Sequence, residues 1–105
     1  MQITQFYDVD GGTDVTLTTP QITLPQWVGH PIYVHYLVVG NVATSGALNL
    51  RHNRADGTYV DIAVETTIPT TGKAGDVSVP PNCQFVFVPT SGNKGRLTLW
   101  MPLAK

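Results

Sequence analysis

The sequence predicts an all-β protein, an antiparallel β-sandwich or jelly-roll-like domain of about eight strands. Three observations predict it. Apolar and polar residues alternate at period two through most of the chain. Turn-forming residues recur about every ten positions, the spacing of short strands in sandwiches. Prolines at 20, 25 and 31 leave no room for a helix in the first third, because each lacks an N–H donor and disfavours helical geometry in the residue before it. At 105 residues the chain is a single domain, 1–105, large enough to bury a core without disulfides or metal.

Residues 2–8 form either a short strand or an extended N-terminal arm, pairing with their own sheet or with a neighbour's edge. Asp10-Gly11-Gly12-Thr13-Asp14 is an acidic turn. The run 13–19 alternates with Val15 and Leu17 on one face, and Ile22 and Leu24 continue the alternation to Pro25. Residues 32–39, Ile-Tyr-Val-His-Tyr-Leu-Val-Val, make the strongest strand, apolar on both faces apart from His35. Such a strand needs cover on both sides, one from the core and one from a loop or another subunit.

The stretch 46–64 is a β-hairpin hinged on Asp56-Gly57. Leu48 and Leu50 share a face with Val60, Ile62 and Val64, while Asn49, Arg51, Tyr59, Asp61 and Glu65 take the other. A three-residue connection Ala55-Asp56-Gly57, with Gly57 left-handed, sets Arg51 opposite Asp61, whereas a five-residue loop sets Arg51 opposite Tyr59. Residues 66–75 read as a loop, 76–79 as a short strand stopped by Pro80-Pro81, and 84–88 as a strand apolar on both faces. The last strand, 96–101, points Leu97, Leu99 and Met101 inward and Trp100 outward.

Charge is sparse and nearly balanced. Six Lys and Arg against seven Asp and Glu leave no basic footprint for nucleic acid or for an anionic membrane surface. The charged fraction of 12% is about half that of an average soluble domain, so neutral polar residues cover the surface and few ions need desolvating when a neighbour docks. The first fifty residues hold three Asp and no Lys or Arg, which suggests a polarity between two ends of the fold. One cysteine, Cys83, excludes an intrachain disulfide. The start carries no basic leader with an apolar segment, and the run 32–39 is too short to span a bilayer, so synthesis in the cytoplasm and no membrane partner are expected.

No catalytic or cofactor motif is legible. Asp8, Asp10 and Asp14 offer hard oxygen ligands for Ca²⁺, but the bidentate Glu of an EF-hand is missing, and a solvated turn is the expected reading. His30, His35 and His52 with Cys83 show no zinc spacing; His35 reads as a hydrogen-bonded structural histidine, His52 as closing the core, and Cys83 as buried and inert. Asp61 and Glu65, four residues apart on one strand, stand about 13 Å from each other, too far for a glycosidase pair. What remains is aromatic: Trp27 in a proline-flanked loop, Tyr33 and Tyr59 on strands, and Trp100. These serve as a sugar-stacking platform or as anchors in a protein interface, with Trp27 read rather as a plug of the core and Trp100 rather as an interface anchor.

Gly46-Ala47-Leu48-Asn49-Leu50, then Asp56-Gly57-Thr58-Tyr59-Val60-Asp61-Ile62, Val79-Pro80 with Phe85-Val86-Phe87, and Gly95-Arg96-Leu97-Thr98-Leu99-Trp100 together resemble small β-sandwich structural proteins of tailed bacteriophages, over roughly the last sixty residues. The resemblance implies a non-enzymatic virion protein, a capsid decoration (cement) or tail-associated protein, without cofactor or metal. Its implied partners are copies of itself, most often as a trimer, and the major capsid protein or another virion protein. On residue character, the contacts would come from Ile3 and Phe6 in the arm, from Tyr33, His35 and Leu37 on the outer side of 32–39, and from Trp100. The alternative is a carbohydrate-binding sandwich using the tryptophans and tyrosines.

Overall fold

A computed structural model describes residues 2–22, 32–42, 45–80 and 82–103. Eight strands are present and, among the described residues, no helix. They are β1 (Gln2–Asp10), β2 (Leu17–Thr18), β3 (Ile32–Gly40), β4 (Gly46–Asn53), β5 (Tyr59–Glu65), β6 (Lys73–Val79), β7 (Cys83–Pro89) and β8 (Gly95–Leu103). They build two four-stranded antiparallel sheets, a front sheet in the order β1-β8-β3-β6 and a back sheet in the order β2-β7-β4-β5. Two interleaved four-strand sets of this order make an eight-stranded jelly roll. Only the β4–β5 connection stays within one sheet; every other connection crosses from one sheet to the other.

Period-two patterning delivers the core. Val34, Tyr36 and Val38 of β3, Leu97 and Leu99 of β8, Leu48 and Leu50 of β4, and Phe85 and Phe87 of β7 meet between the sheets, and all are buried. Met101 packs against them, so the inward set expected of the last strand is present. Ile68, in the β5–β6 connection, is fully buried, and its carbonyl accepts the Ser45 N–H at 3.3 Å. Gly46 is glycine for a steric reason: a Cβ there would collide with the Val88 carbonyl oxygen of β7.

The N-terminal stretch is an edge strand of its own sheet. β1 runs antiparallel to β8 from Gln2↔Leu103 to Asp10↔Arg96, with a bulge between Gln5 and Tyr7. The bulge supplies one extra residue, and both Phe6 and Tyr7 pack half-buried against the core. β2 is shorter than the run 13–19. Val15 is exposed, and pairing with β7 is confined to Leu17 and Thr18, followed by a single bridge from Ile22 to Cys83. Thr19 extends the attachment, accepting the Phe85 N–H on Oγ1 at 3.0 Å and the Gln84 side-chain amide on its carbonyl at 2.6 Å. Leu24, Trp27 and His30 lie outside the described residues.

The hairpin takes the three-residue connection. Arg54 N–H donates to the Thr58 carbonyl at 2.8 Å, Gly57 has φ 90°, and Arg51 pairs with Asp61. Asp56 Oδ1 accepts the Thr58 N–H at 3.0 Å, which fixes the turn from within. One expectation holds here and one fails. Val60 and Ile62 do share the inner face with Leu50, but they stay 38% and 53% exposed because β5 is the edge of the back sheet. Glu65 does not share a face with Asp61: a bulge between Leu48 and Asn49 shifts the alternation by one residue and turns Glu65 toward the front sheet. In addition, β6 begins at Lys73, inside the stretch expected to be loop, where it pairs with Val38.

Candidate functional site

The outer face of the front sheet gathers most of the residues singled out as contacts. Alternation along β3 sends Val34, Tyr36 and Val38 inward and leaves Tyr33, His35, Leu37 and Val39 outside. On β8 the outward set is Arg96, Thr98 and Trp100, paired with Asp10, Asp8 and Gln5 of β1. Trp100 lies opposite His35, their ring centroids 5.4 Å apart and tilted by 51°. His35 is exposed and therefore not a core histidine; its Nδ1 lies 3.0 Å from Asp76 Oδ1 on β6. Tyr33, at 64% exposure, stands beyond His35 on the same face. Ile3 sits opposite Pro102 in the β1–β8 register, and Phe6 belongs with the core.

Between β1, β8 and β3 this face is concave, forming an open groove of about 540 Å³. Leu37 and Val39 contribute apolar surface, Trp100 stands at one end, and Asn41 and Lys94 stand at the other. Its centre is organised by charge. Arg96 clamps Asp8 with two bonds, Nε to Oδ1 at 2.9 Å and Nη2 to Oδ2 at 2.7 Å, and Thr98 Oγ1 donates to Asp8 Oδ1 at 2.9 Å. The Arg96 and Thr98 hydrogen bonds hold the Asp8 carboxyl down at about 2, so it is ionised throughout the physiological range. One of the three N-terminal acids is thereby paired with a base from the other end of the chain.

The acidic set also parts company. Asp8 is taken by Arg96 and Thr98, while Asp14 Oδ1 accepts the Gly92 N–H at 2.6 Å across the β7–β8 turn. Among the described residues no three His, Cys, Asp or Glu side chains converge as metal ligands. Asp61 and Glu65 point to opposite sides of β5. Asp61 is held by Arg51, with Nε to Oδ1 at 2.8 Å and Nη2 to Oδ2 at 3.1 Å, whereas Glu65 accepts the Tyr36 hydroxyl across the sandwich. Burial, followed by that hydrogen bond, pushes the Tyr36 phenol up to about 12. His52 Nδ1 lies 3.4 Å from Cys83 Sγ at the far end of the core, and burial pushes the Cys83 thiol up, away from the thiolate a nucleophile needs.

The aromatic side chains do not make a single platform. Tyr33 and Trp100 share the front sheet, whereas Tyr59 lies on the edge of the back sheet with the Arg51 guanidinium 3.8 Å over its ring. The sequence places Tyr33, His35, Leu37 and Trp100 on outer strand faces, where they stand, and offers Asp8 only as a candidate calcium ligand; the meeting of Asp8 with Arg96, Thr98 and Gln5 is not foreseen in it, because it depends on pairing the first strand with the last. The alternation of Arg96, Thr98 and Trp100 along β8 was the available signal. No family model, curated protein or solved structure matches this chain.

Proposed function

We propose that the protein is a non-enzymatic virion structural protein, a capsid decoration or cement protein that binds copies of itself, as a trimer, and the capsid lattice. The observation that carries this reading is the β5 edge. From Tyr59 to Ala63 every residue is exposed, so both sides of the strand are open together with its backbone edge, which is unpaired among the described residues. Natural edge strands are usually blunted by charge. β6, the corresponding edge of the front sheet, carries Lys73 and Asp76, whereas β5 presents Val60 and Ile62, and its Asp61 is neutralised by Arg51. An apolar edge of this kind is matched to another protein surface.

The jelly-roll strand order agrees with the reading as an analogy of fold, since viral capsid proteins use it and lectins do too. In a cyclic trimer the β5 edge would meet a different edge of the next subunit, a heterologous contact closed by rotation. Native mass measurement and sedimentation should show a trimer, and the protein should cosediment with capsids. Ile62→Lys should shift the population to monomer. A wild-type protein that stays monomeric and binds no capsid would overturn the reading.

A further inference from the structure

The geometry points to a binding site for a neutral oligosaccharide in the groove on the outer face of the front sheet. The inference rests on that groove and is independent of assembly through β5, which lies on the other sheet.

The groove's volume of about 540 Å³ falls within the roughly 300–1,000 Å³ of small-ligand sites. Its length, from Lys94 to Trp100 along β8, is about 20 Å at the rise of an extended strand, which suits an elongated ligand lying along the strands. Three of its features match the chemistry of a sugar chain. A pyranose has an apolar C–H face, and Trp100 offers the indole against which such faces pack, half-buried and flanked on the same face by the His35 ring of the neighbouring strand. The ring's edge bears hydroxyls that donate and accept, and the groove centre holds both kinds of partner already fixed. Two of the five Arg96 N–H donors are engaged by Asp8, which holds the guanidinium plane and leaves the others to face a ligand. Gln5, opposite Trp100 on β1, adds an amide that both donates and accepts.

Charge selects the class. The ionisable groups lining the groove are Asp8, Asp10, Lys94 and Arg96, two of each sign, with Asp8 and Arg96 paired to one another. The lining carries no net charge to favour an anion or a cation, so a sialylated or sulfated glycan has no charge advantage over a neutral one, and nucleic acid finds no basic track. Pre-organisation by the Arg96–Asp8–Thr98 set reduces the ordering lost on binding, which matters for a ligand whose hydroxyls each exchange a water hydrogen bond for a protein one.

The test is titration of the full chain, followed by ¹H–¹⁵N NMR, with malto-, cello-, xylo- and N-acetylchito-oligosaccharides as neutral probes and sialyllactose as the anionic one. At least one neutral probe should shift the Trp100 indole and the Gln5 and Thr98 amides. Trp100→Ala should weaken that binding about tenfold, the order of one aromatic stacking contact, and Trp100→Phe should restore part of it. Gln5→Ala, at an exposed side chain whose loss leaves the core untouched, should weaken it a few-fold even if Trp100→Ala fails to fold. Ile62→Lys should leave it unchanged. Silence with every neutral probe, binding confined to sialyllactose, or binding undiminished in both Trp100→Ala and Gln5→Ala would overturn the inference.

Discussion

The two strands of the hairpin, β4 and β5, carry nearly the same amphipathic pattern and meet opposite fates. Leu48 and Leu50 are 0% and 4% exposed, while Val60 and Ile62, on the same inner face, remain largely open. The difference is position. β4 lies inside the back sheet between β7 and β5, whereas β5, among the described residues, has a neighbour on one side only. Alternation says which way a side chain points; sheet order decides whether anything is there to meet it. The largest effect should therefore separate the strands. Leu48→Ala should destabilise by about 3 kcal/mol, within the range for large-to-small changes in a close-packed core, while Ile62→Ala should stay below about 1 kcal/mol. Both are read from urea unfolding at a protein concentration low enough for sedimentation to show monomer. Equal losses would mean that Ile62 is as fully packed as Leu48, and the contrast would collapse.

The same distinction explains what could be read before the structure. The hairpin was legible to its turn type because its partners are close in sequence and Asp56-Gly57 specifies the connection. The strands of the front sheet were legible as strands, and Trp100 as outward-facing, from period two alone. Their pairing was not legible, since β8 joins β1 on one side and β3 on the other, and no local signal says which distant segments meet. The groove follows from that pairing, so Trp100 and Leu37 were legible as outward residues, while the joining of Asp8 to Arg96 and the place of Gln5 beside Trp100 were not. Bulges account for the remaining misreadings. One extra residue near Phe6 brings it to the core, and one near Val64 turns Glu65 from the outer face to the inner.

That second bulge makes the one side-chain hydrogen bond between β5 and the front sheet among the described residues, from the Tyr36 hydroxyl to Glu65. It offers an intermediate test of how loosely β5 is held. Tyr36→Phe should lose about 1–2 kcal/mol, a hydrogen bond to a charged acceptor whose partner is then left half-buried. It should also change the alkaline limb. The phenol titrates near its ordinary 10.0 when unfolded and at about 12 when folded, so the stability it confers is complete below pH 10 and is lost as pH rises toward 12. Tyr36→Phe should flatten the largest part of this slope, leaving the smaller parts due to Tyr7 and Cys83, which burial also raises. Unfolding measured below and above pH 10 checks it, and an unchanged slope would detach Tyr36 from the effect.

The smallest expected effect lies on the outer side, where Arg51 and Asp61 join β4 to β5. The pair is bidentate and stacked on Tyr59, with both carboxylate oxygens engaged, yet the side chains keep 21% and 28% of their surface in water. Solvent screening at such a site limits a cross-strand ion pair to under about 1 kcal/mol. A double-mutant cycle with Arg51→Ala and Asp61→Ala should return a coupling of that size, shrinking further at high salt because the attraction is only partly shielded by protein. Arg51→Ala alone should lose slightly more than Asp61→Ala, since it also uncovers the Tyr59 ring. A coupling above about 2 kcal/mol, insensitive to salt, would show that the outer face of β5 is fixed as firmly as a core strand. The apolar edge would then be a rigid template rather than a strand free to adjust to a neighbour.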